Sequence, residues 1–517
     1  MRGRALRAGG LLWGLVLALA LTACAGGEPP EESALPTAPP TAPPEPLVFA
    51  LGYDPEDDLH PLRGSSQLNQ DWVPLVYECL YELDNTFTPQ PRLARSAAVS
   101  EDGRVWTLTL AGKTFSDGTP VTGEQVAASL LAAKGSEVYG QRLASVSGVT
   151  VDGESGDVVI TLSRPNGSLP ALLDVPIVLE GEEGAPPLGS GPYILEGGGD
   201  SRLLTANPRW WGTDQPPYGE IPLRPITTAD RHIAAFSSGE ITAVTTDFTG
   251  TNALGYSGTY ETHDYPTSHM LYVGFNTDRR RPCANAGLRL ALSRAMDRSS
   301  IVSAMLSGHA LSAALPLSPL HGAYDEGTAA ELDYQVAAAE EGLAELGYAP
   351  GDDGVLKKGR QRLSLTMVVN NDSAAKVAIA EYLARSFQSL GMEIVLQPLS
   401  WDDYIAALSA GEFDLYLGEV KLTGDFDLTA LLTGELNYGG YENWAVFGAL
   451  QRFRLAVDGE ERAAAASALF EAMAADLPFA TLCFKHNSLL LQWGVVSGVT
   501  PARGDPLHGI EGWTVLQ

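Results

Sequence analysis

Cysteine and basic residues are scarce in this chain, and each scarcity argues against a class of protein. Only four of the 517 residues are cysteine, too few for a disulfide framework. Apart from Cys24, the cysteines are Cys79, Cys283 and Cys483, which form no C-x-x-C pair. Because three thiols cannot all pair internally, we expect at most one disulfide and, by default, free buried thiols. Lys and Arg number 33 against 63 Asp and Glu, a formal net charge of −30. That balance argues against nucleic acid as a partner, because such binding depends on basic groups that meet phosphates.

Recognisable catalytic and metal-binding patterns are also missing. The sequence contains no H-E-x-x-H, G-x-S-x-G or paired C-x-x-C arrangement. The eight histidines are dispersed, and His263 and His269 lack the helical spacing of metal ligands. The sequence therefore predicts no enzyme, no resident metal and no cofactor.

Long apolar runs are rare as well, and the one near the amino end is short. Arg2, Arg4 and Arg7 precede the apolar stretch Leu11–Ala20, which is too short to span a bilayer comfortably. This order of charged, apolar and small residues is typical of a secretory signal. The ending Leu-Thr-Ala-Cys resembles a bacterial lipobox, which implies cleavage after residue 23 and acylation of Cys24. We expect residues 1–23 to be a lipoprotein signal peptide.

The next segment has the composition of a linker. Residues 24–46 are rich in Pro, Thr, Ala and Glu, and they offer nothing to bury in a core. They predict a semi-rigid tether between acylated Cys24 and a globular part that begins near Leu47. Acyl chains on Cys24 would anchor that part to the outer face of the cell membrane.

The globular part is too long for one compact core and is expected to form two or three lobes. Strands and helices alternate along it, which predicts α/β lobes with largely parallel sheets. Trp72–Leu83 has the pattern of an apolar helix, and Val105–Leu110 alternates as a strand does. Thr122-Gly123-Glu124-Gln125 has the form of a capping box that opens a helix.

One loop differs from the rest in the chemistry that it carries. The strand Phe413–Gly418 runs into Glu419–Leu428, and strand-end loops of open α/β sheets are common ligand sites. The segment Asn437–Trp444 follows and adds amides and aromatic rings. A carboxylate framed by aromatic rings suits a small cationic or amphiphilic ligand. Taken alone, a solvated loop is the simpler interpretation.

A series of short motifs gives the whole chain a recognisable order. They are Val76–Leu80, Ser100–Trp106, Phe115–Thr122, Gly189–Tyr193, Asn207–Gly212, Phe275–Thr277, Ala291–Arg298, Leu399–Tyr404 and Gly411–Leu415. In this order, and after a lipobox, they resemble the family 5 solute-binding proteins, the oligopeptide- and dipeptide-binding lipoproteins of ABC importers. The likeness extends from Leu47 to about Leu491.

The resemblance implies a fold and a division into lobes. The fold is α/β, of the type II periplasmic-binding-protein kind, with two hinged lobes and an extra lobe. By analogy, residues 47–71, 187–263 and 485–517 form a discontinuous lobe I. Residues 72–186 form the extra lobe II, and residues 264–484 form lobe III.

The resemblance also implies a site and partners. Asp425 falls where peptide binders of this family pair an aspartate with the α-ammonium of the ligand, and Leu422 and Thr423 would offer backbone groups. The expected partners are a short peptide or other small solute, an ABC permease with its ATPase, and the membrane through the lipid anchor. The protein is expected to be a monomer. The full set of candidate ligand-binding residues is Asp425, Gly424, Thr423, Leu422, Tyr438, Trp444, Ser66 and Gln67.

Departures from the family pattern leave the ligand class open. Val420 and Lys421 stand where the family often has a tryptophan, and Asp427-Leu428 stands in place of Asp-Pro. A non-peptide solute, such as a metal chelate or an oligosaccharide, is therefore an alternative to a peptide. A secreted hydrolase or a sensory lipoprotein is a further alternative.

Overall fold

The elements come from a computed structural model, which describes residues 47–182, 184–212, 215–251, 253–457 and 459–516, without the side chain of residue 200. The expected signal peptide, Cys24 and the tether lie outside these residues. Leu47–Gln517 belong to one compact unit. Within the described ranges, no helix is both long enough and apolar enough to cross a membrane.

The strands are short apart from two. They are β1 Leu51–Tyr53, β2 Tyr81–Leu83, β3 Pro89–Pro91, β4 Ala94–Val99, β5 Val105–Leu110, β6 Val146–Val151, β7 Val158–Leu162, β8 Tyr193–Glu196, β9 Leu203–Ala206, β10 Glu220–Pro225, β11 Ala243–Thr246, β12 Tyr260–Phe275, β13 Ala310–Ser312, β14 Ala349–Pro350, β15 Leu356–Lys358, β16 Gln361–Arg362, β17 Ser364–Asn370, β18 Glu393–Leu399, β19 Leu415–Lys421, β20 Phe479–Gln492, β21 Val496–Ser497 and β22 Thr514–Val515.

The helices concentrate in the second half of the chain. They are α1 Gln67–Gln70, α2 Val73–Val76, α3 Gly123–Ala133, α4 Ala229–Ser237, α5 Ala286–Arg294, α6 Arg298–Ser300, α7 Glu326–Leu332, α8 Val336–Glu345, α9 Ala374–Ser389, α10 Trp401–Ala410, α11 Thr429–Leu432, α12 Trp444–Leu455 and α13 Gly459–Asp476. A π-helical turn follows α6 at Ile301–Met305, and short 3₁₀ turns lie at Leu169–Leu172, Gly199–Ser201, Pro282–Ala284 and Ile510–Gly512.

Three sheets contain most of the strands. Below, the names lobe I, lobe II and lobe III refer to the predicted ranges. One four-stranded sheet has the order β1-β10-β9-β8, and another has the order β4-β5-β7-β6. The largest sheet runs β11-β20-β12-β19-β17-β18, with β13 added on β20. One apolar core surrounds this large sheet and another surrounds the two smaller ones. The mixed α/β architecture confirms the predicted fold class.

The expectation of largely parallel sheets is wrong. Among the paired strands described, only β1–β10, β17–β18 and β17–β19 run parallel. The two long strands β12 and β20 pair antiparallel along most of their length, from Tyr260 opposite Gln492 to Gly274 opposite Phe479. The alternation of element types along the sequence does not determine strand direction where connections are as short as those of β4–β5 or β8–β9.

The long strands β12 and β20 also bear on the lobe boundaries. The predicted boundaries at 263/264 and 484/485 fall inside β12 and β20. Their outer parts pair with β11, which belongs to the lobe I range, or with each other, and their inner parts pair with β13 and β19 of lobe III. Two continuous strands therefore join the two regions, as a hinge requires. The lobe boundaries themselves stay predictions.

The predicted helix Trp72–Leu83 is wrong. Only α2 is helical there, and Tyr77 is extended with φ −123° and ψ 114°. The carbonyl of Val76 accepts a hydrogen bond from the N–H of Gly191 at 2.9 Å instead of from the next helical turn. A Cβ at Gly189 would lie 1.9 Å from the Val76 carbonyl oxygen, so only glycine permits this approach. Tertiary pairing has therefore replaced the helix that the apolar pattern favoured.

Other local predictions are confirmed. Thr122 and Gln125 form the predicted capping box at the start of α3. The predicted strand Val105–Leu110 is β5. Cys79, Cys283 and Cys483 are free thiols; Cys283 and Cys483 are buried, whereas Cys79 is half-buried.

Candidate functional site

The segment after β19, residues 422–428, is the candidate site and is called the Asp425 loop below. Its first residue is tied to the neighbouring strand β12. The N–H of Leu422 donates to the carbonyl of Ser268 at 3.0 Å, and the Ser268 hydroxyl donates to the Leu422 carbonyl at 2.5 Å. In this conformation the Leu422 N–H is engaged, and its carbonyl oxygen keeps one lone pair.

The loop turns sharply at Phe426, which has a left-handed backbone with φ +52°. A non-glycine residue adopts this conformation only where its surroundings hold it. Here the ring of Phe426 packs edge-on against Phe87 at 4.9 Å, His321 at 5.7 Å and Phe484 at 5.9 Å between ring centroids. These rings fix the turn and thereby the direction of the Asp425 side chain.

Asp425 is 6% exposed, and among the described residues only neutral donors give hydrogen bonds to its carboxylate. The amide of Asn166 donates to Oδ2 at 2.8 Å, and the hydroxyl of Thr423 donates to Oδ1 at 2.6 Å. The N–H of Asp427 makes a longer contact with Oδ1, 3.4 Å. Among the ion pairs of the described residues, none includes Asp425. The site therefore contains an enclosed carboxylate whose charge has no direct cationic partner.

Lobe II covers the loop at short range. Asn166 of lobe II makes the hydrogen bond described above. The backbone also approaches closely, since a Cβ added to Gly424 would lie 2.3 Å from the carbonyl oxygen of Ala171 and 2.7 Å from a methyl carbon of Leu83. The backbone dihedral angles of Gly424 do not require glycine, so the need for glycine is steric. Residue 424 must therefore lack a side chain for lobes II and III to meet in this way.

Arginines frame the loop without pairing to the Asp425 carboxylate. Arg164 and Arg454 lie 3.4 and 3.5 Å from the carboxylate of Asp427. Arg462 donates to the backbone carbonyl of Asp425 at 2.6 Å and stacks on Phe453. Burial lowers the pKa of Arg462, and the charges of Asp425 and Asp427 oppose that effect. These contacts hold the backbone of the loop in position.

A second charged group lies where β19 ends. Asp174 pairs with Arg142 at 2.9 Å and with Arg503 at 3.3 Å. Burial within the surrounding protein, followed by repulsion from Arg142 and Arg503, lowers the pKa of Lys421 to about 8, although its side chain reaches solvent. Arg503 also reaches the Ser268 hydroxyl at 3.5 Å, so this cluster joins lobe II, the C-terminal segment and lobe III.

A third group lies further back along the same strands. The ammonium of Lys485 contacts Asp247 at 2.6 Å and Glu419 at 3.1 Å, and Lys376 contacts Glu419 at 2.5 Å. Burial alone would raise the pKa of Glu419, but His269, Lys485 and Lys376 together lower it well below its usual range. Glu419 therefore stays charged in the folded protein.

Not all of the predicted site residues come together. Leu422, Thr423, Gly424 and Asp425 form one loop, as a continuous segment must. Ser66 and Gln67 lie at the start of α1; the Ser66 N–H donates to Asp57 at 2.8 Å and the Gln67 amide donates to Asp71 at 2.6 Å. Their hydrogen bonds thus run within the amino-terminal segment, and their role as ligand contacts stays a prediction.

Tyr438 and Trp444 lie at the opposite end of β19 from Asp425. The ring of Tyr438 is 6.1 Å from that of Tyr416, the second residue of β19, and the next residue Gly439 accepts from Thr277. Trp444 begins α12 and is 87% exposed. The seven residues of β19 span about 20 Å, so the aromatic rings beside Asp425 are instead those of Phe426 and Phe87.

A small pocket lies at this far end as well. Its lining includes Phe275, Tyr416 and Tyr441. It also includes Leu431 of α11, but neither Asp425 nor any charged residue is among the described residues that line it. We therefore give more weight to the enclosed carboxylate than to this cavity.

Sequence reasoning missed Asn166, Arg462 and Arg503. Asn166 and Asp425 are 259 positions apart in the chain, and neither lies in a motif that would connect them. Asn166 has a local signal only as part of the turn Arg164-Pro165-Asn166-Gly167. Contacts between distant segments depend on how the lobes meet, which local patterns do not encode.

Comparisons with known proteins show similarity to solute-binding proteins. A family model described as the middle region of the bacterial extracellular solute-binding proteins, family 5, matches residues 88–431. Protein XP55 of Streptomyces lividans is 28% identical over 466 residues, which cover 84% of this chain and 82% of that protein. The oligopeptide-binding protein AppA of Bacillus subtilis is 24% identical and covers 96% of this chain and 97% of its own length.

Solved structures show a similar fold. An ABC transporter substrate-binding protein from Sinorhizobium meliloti has a TM-score of 0.72 at 18% identity and covers 91% of this chain and all of its own. NikZ from Campylobacter jejuni, in complex with Ni(L-His), has a TM-score of 0.62 at 21% identity, with the same coverage of both chains.

Proposed function

This chain belongs to the bacterial extracellular solute-binding proteins, family 5, and from this premise we propose that it captures short peptides through Asp425 and delivers them to an ABC permease. The relatives named as oligopeptide-binding proteins support a peptide rather than another solute. The proposed anchor is Cys24, supported by the lipobox-like ending of the amino-terminal segment.

The observation that carries the proposal is the enclosed carboxylate of Asp425. It is 6% exposed, and within the described ranges the hydrogen bonds that its side-chain oxygens accept come from neutral donors. The α-amino group of a peptide has a pKa of about 8, so it is mostly cationic at neutral pH. Enclosing this pair costs the desolvation of both ions, and the bonds from Asn166 and Thr423 help to offset that cost by orienting the carboxylate. An ammonium ion would complete the site.

The cations at the end of β19 suit the other end of a peptide. Lys421 reaches solvent close to Arg142 and Arg503, and among the described residues Asp174 is the one carboxylate that forms ion pairs with this group. A free carboxylate would be attracted to this cluster. We therefore propose a zwitterionic ligand that lies between Asp425 and Lys421.

Entry of a ligand requires lobes II and III to separate. The contact between Gly424 and Ala171 leaves no space beside the loop in this conformation. The long strands β12 and β20 provide the two continuous connections about which a hinge motion occurs. Closure over a bound peptide would then re-form the Asn166–Asp425 hydrogen bond.

The first experiment identifies the ligand. A protein that begins at Leu47 is purified and weighed by native mass spectrometry before and after gentle unfolding. A ladder of short peptides would support the proposal, whereas one non-peptide mass would keep the family and overturn the peptide. If the protein carries no ligand, it is titrated by calorimetry with a library of short peptides. Failure of every peptide to bind would also contradict the proposal.

The charge of Asp425 is tested by Asp425→Asn, which keeps the size of the side chain. Removing one partner of a buried, hydrogen-bonded charge pair costs about 2–5 kcal/mol, so peptide affinity should fall at least about 30-fold. Asp402→Asn, an exposed carboxylate on α10, is the control and should leave affinity unchanged. Equal affinities of the Asp425→Asn protein and the parent would rule out the proposed contact.

A further inference from the structure

Another group of chemically versatile side chains lies outside the Asp425 loop. Glu82 of β2 in lobe II meets Asp505 and His508 of the C-terminal segment. One ligand atom from each of the three side chains lies within 4.8 Å of the other two. The Nδ1 atom of His508 is 2.5 Å from Oε1 of Glu82 and 3.8 Å from Oδ2 of Asp505. The donor set is therefore one imidazole nitrogen and two carboxylate oxygens.

The surroundings hold two of these donors in place. Oδ1 of Asp505 accepts from the N–H of Leu507 at 3.1 Å, which leaves Oδ2 for His508. Reciprocal backbone hydrogen bonds of 2.9 and 3.0 Å between Ala502 and Asp505 close the turn that carries this carboxylate. Arg92 lies 3.5 Å from the second oxygen of Glu82. Such outer contacts orient ligands in metal sites.

The cluster borders a cavity. Glu82, Asp505 and His508 line a small, partly open pocket, together with Arg92, Trp210 and neighbouring residues. Oε1 of Glu82 is shut off from solvent and pairs with Nδ1 of His508 at 2.5 Å. The site thus combines two carboxylates, one imidazole nitrogen and an adjoining pocket from which water can reach them.

From this geometry we propose that Glu82, Asp505 and His508 bind a divalent transition-metal ion such as Zn²⁺, with water from the cavity completing its coordination. Imidazole favours Zn²⁺ and related ions over Ca²⁺ and Mg²⁺, which prefer oxygen ligands alone. Ligands bonded to Zn²⁺ at about 2.0–2.2 Å lie roughly 3.0–3.5 Å apart. The present separations of 2.5 and 3.8 Å would need shifts of less than about 1 Å to reach that range.

The charges of the site explain both why an ion is favoured and what it must displace. Burial and the charge of Glu82 raise the pKa of Asp505, so the two carboxylates repel each other. Asp505 and Glu82 raise the pKa of His508 to about 10, so without metal the protonated imidazole is the balancing cation. Arg92 and Glu511 also line the cavity, and Asp84 acts on Glu82.

The position of the ion gives it a structural effect. Glu82 belongs to lobe II, whereas Asp505 and His508 belong to the C-terminal segment of lobe I. A shared ion would link these two segments, which are far apart in the sequence. The link would lie close in sequence to Arg503 of the charged cluster. Binding to the native state alone would stabilise the protein in proportion to the logarithm of metal concentration. This inference does not depend on the peptide proposal.

The test uses protein 47–517, stripped with a chelator, dialysed and titrated with ZnCl₂ by calorimetry at pH 8. We expect one equivalent of Zn²⁺ to bind. His508→Gln and Asp505→Asn should each weaken binding at least 10-fold. His309→Gln removes a different histidine–carboxylate pair, 3.0 Å from Asp264, and should leave binding unchanged.

Two results would overturn the inference. Absence of saturable Zn²⁺ binding at pH 8 would show that the cluster is an ion pair only. Zn²⁺ binding that persists unchanged in both variants would place the ion elsewhere. Circular dichroism and thermal unfolding in chelator check that each variant is folded; a variant that fails is replaced by Glu82→Gln, which must show the same weakening. Peptide binding is measured on the same samples to keep the two proposals separate.

Discussion

Gly424 shows how a single residue controls the contact between lobes II and III. Its φ angle is not in the left-handed region, so an alanine there would be free of backbone strain. The added Cβ would instead lie 2.3 Å from the Ala171 carbonyl oxygen. An alanine at this position would therefore destabilise the conformation in which the lobes meet, without straining the backbone of the loop.

Gly424→Ala is accordingly expected to weaken peptide binding more than it weakens folding. A forced shift of tightly packed groups costs about 1–3 kcal/mol, which predicts an affinity loss of about 5-fold to 150-fold. Calorimetry measures the affinity and small-angle scattering measures the more open shape. Gly148→Ala, which has no atom within 4 Å of the new Cβ, is the control. Unchanged affinity would show that binding does not need the contact with Ala171.

Asp71 gives a residue-scale prediction about pH. Burial raises the pKa of Asp71 to about 6, although hydrogen bonds from Thr245 and Gln67 oppose the shift. Since the ordinary value is about 3.9, the folded state binds more protons than the unfolded state between about pH 4 and 6. This group therefore costs stability as pH rises through that window, by up to about 3 kcal/mol.

The matching variant is Asp71→Asn, compared with the parent by urea unfolding at several pH values. The variant should gain stability relative to the parent between about pH 4 and 6 and keep that gain at pH 7. A difference in stability that does not change with pH would contradict the raised pKa. Asp402→Asn again serves as the exposed control.

At the scale of elements, a helix or strand was predicted correctly where its determining contacts lie between residues close in the sequence. The capping box at Thr122 involves neighbours three residues apart and was predictable. The segment Trp72–Leu83 has the apolar pattern of a helix, but Gly191 takes the Val76 carbonyl as its hydrogen-bond acceptor. The direction of β12 and β20 likewise depends on pairing between segments more than 200 residues apart. Local patterns carry no information about such partners.

The strand β20 carries a buried charge whose role can be measured. Lys485 is 3% exposed and links Asp247, which follows β11, to Glu419 of β19. Lys485→Met would leave both carboxylates without this cation, and breaking a buried pair in this way costs about 3 kcal/mol or more. Urea unfolding should show that loss, whereas Lys358→Met at an exposed position should show none. Equal stability of the two variants would mean that the link contributes little.

At the scale of the whole molecule, the order of motifs along the chain was more informative than any one motif. It implied the family and the α/β fold with hinged lobes, and the family match over residues 88–431 confirms the family. The position of Asp425 at the end of β19 was also predictable, because the loop follows its strand directly. The cover supplied by Asn166 and Ala171 was not, since it arises only when lobe II meets lobe III.

The account of the whole molecule therefore rests on one charge interaction, between the Asp425 carboxylate and a peptide amine. The most direct measurement is calorimetric titration of one peptide and its amino-terminally acetylated form into the same protein. Acetylation removes the positive charge and leaves the remaining peptide unchanged. The account predicts that the acetylated peptide binds at least about 30-fold more weakly, and that this difference disappears in Asp425→Asn. Equal binding of both peptides to the parent protein would contradict the account.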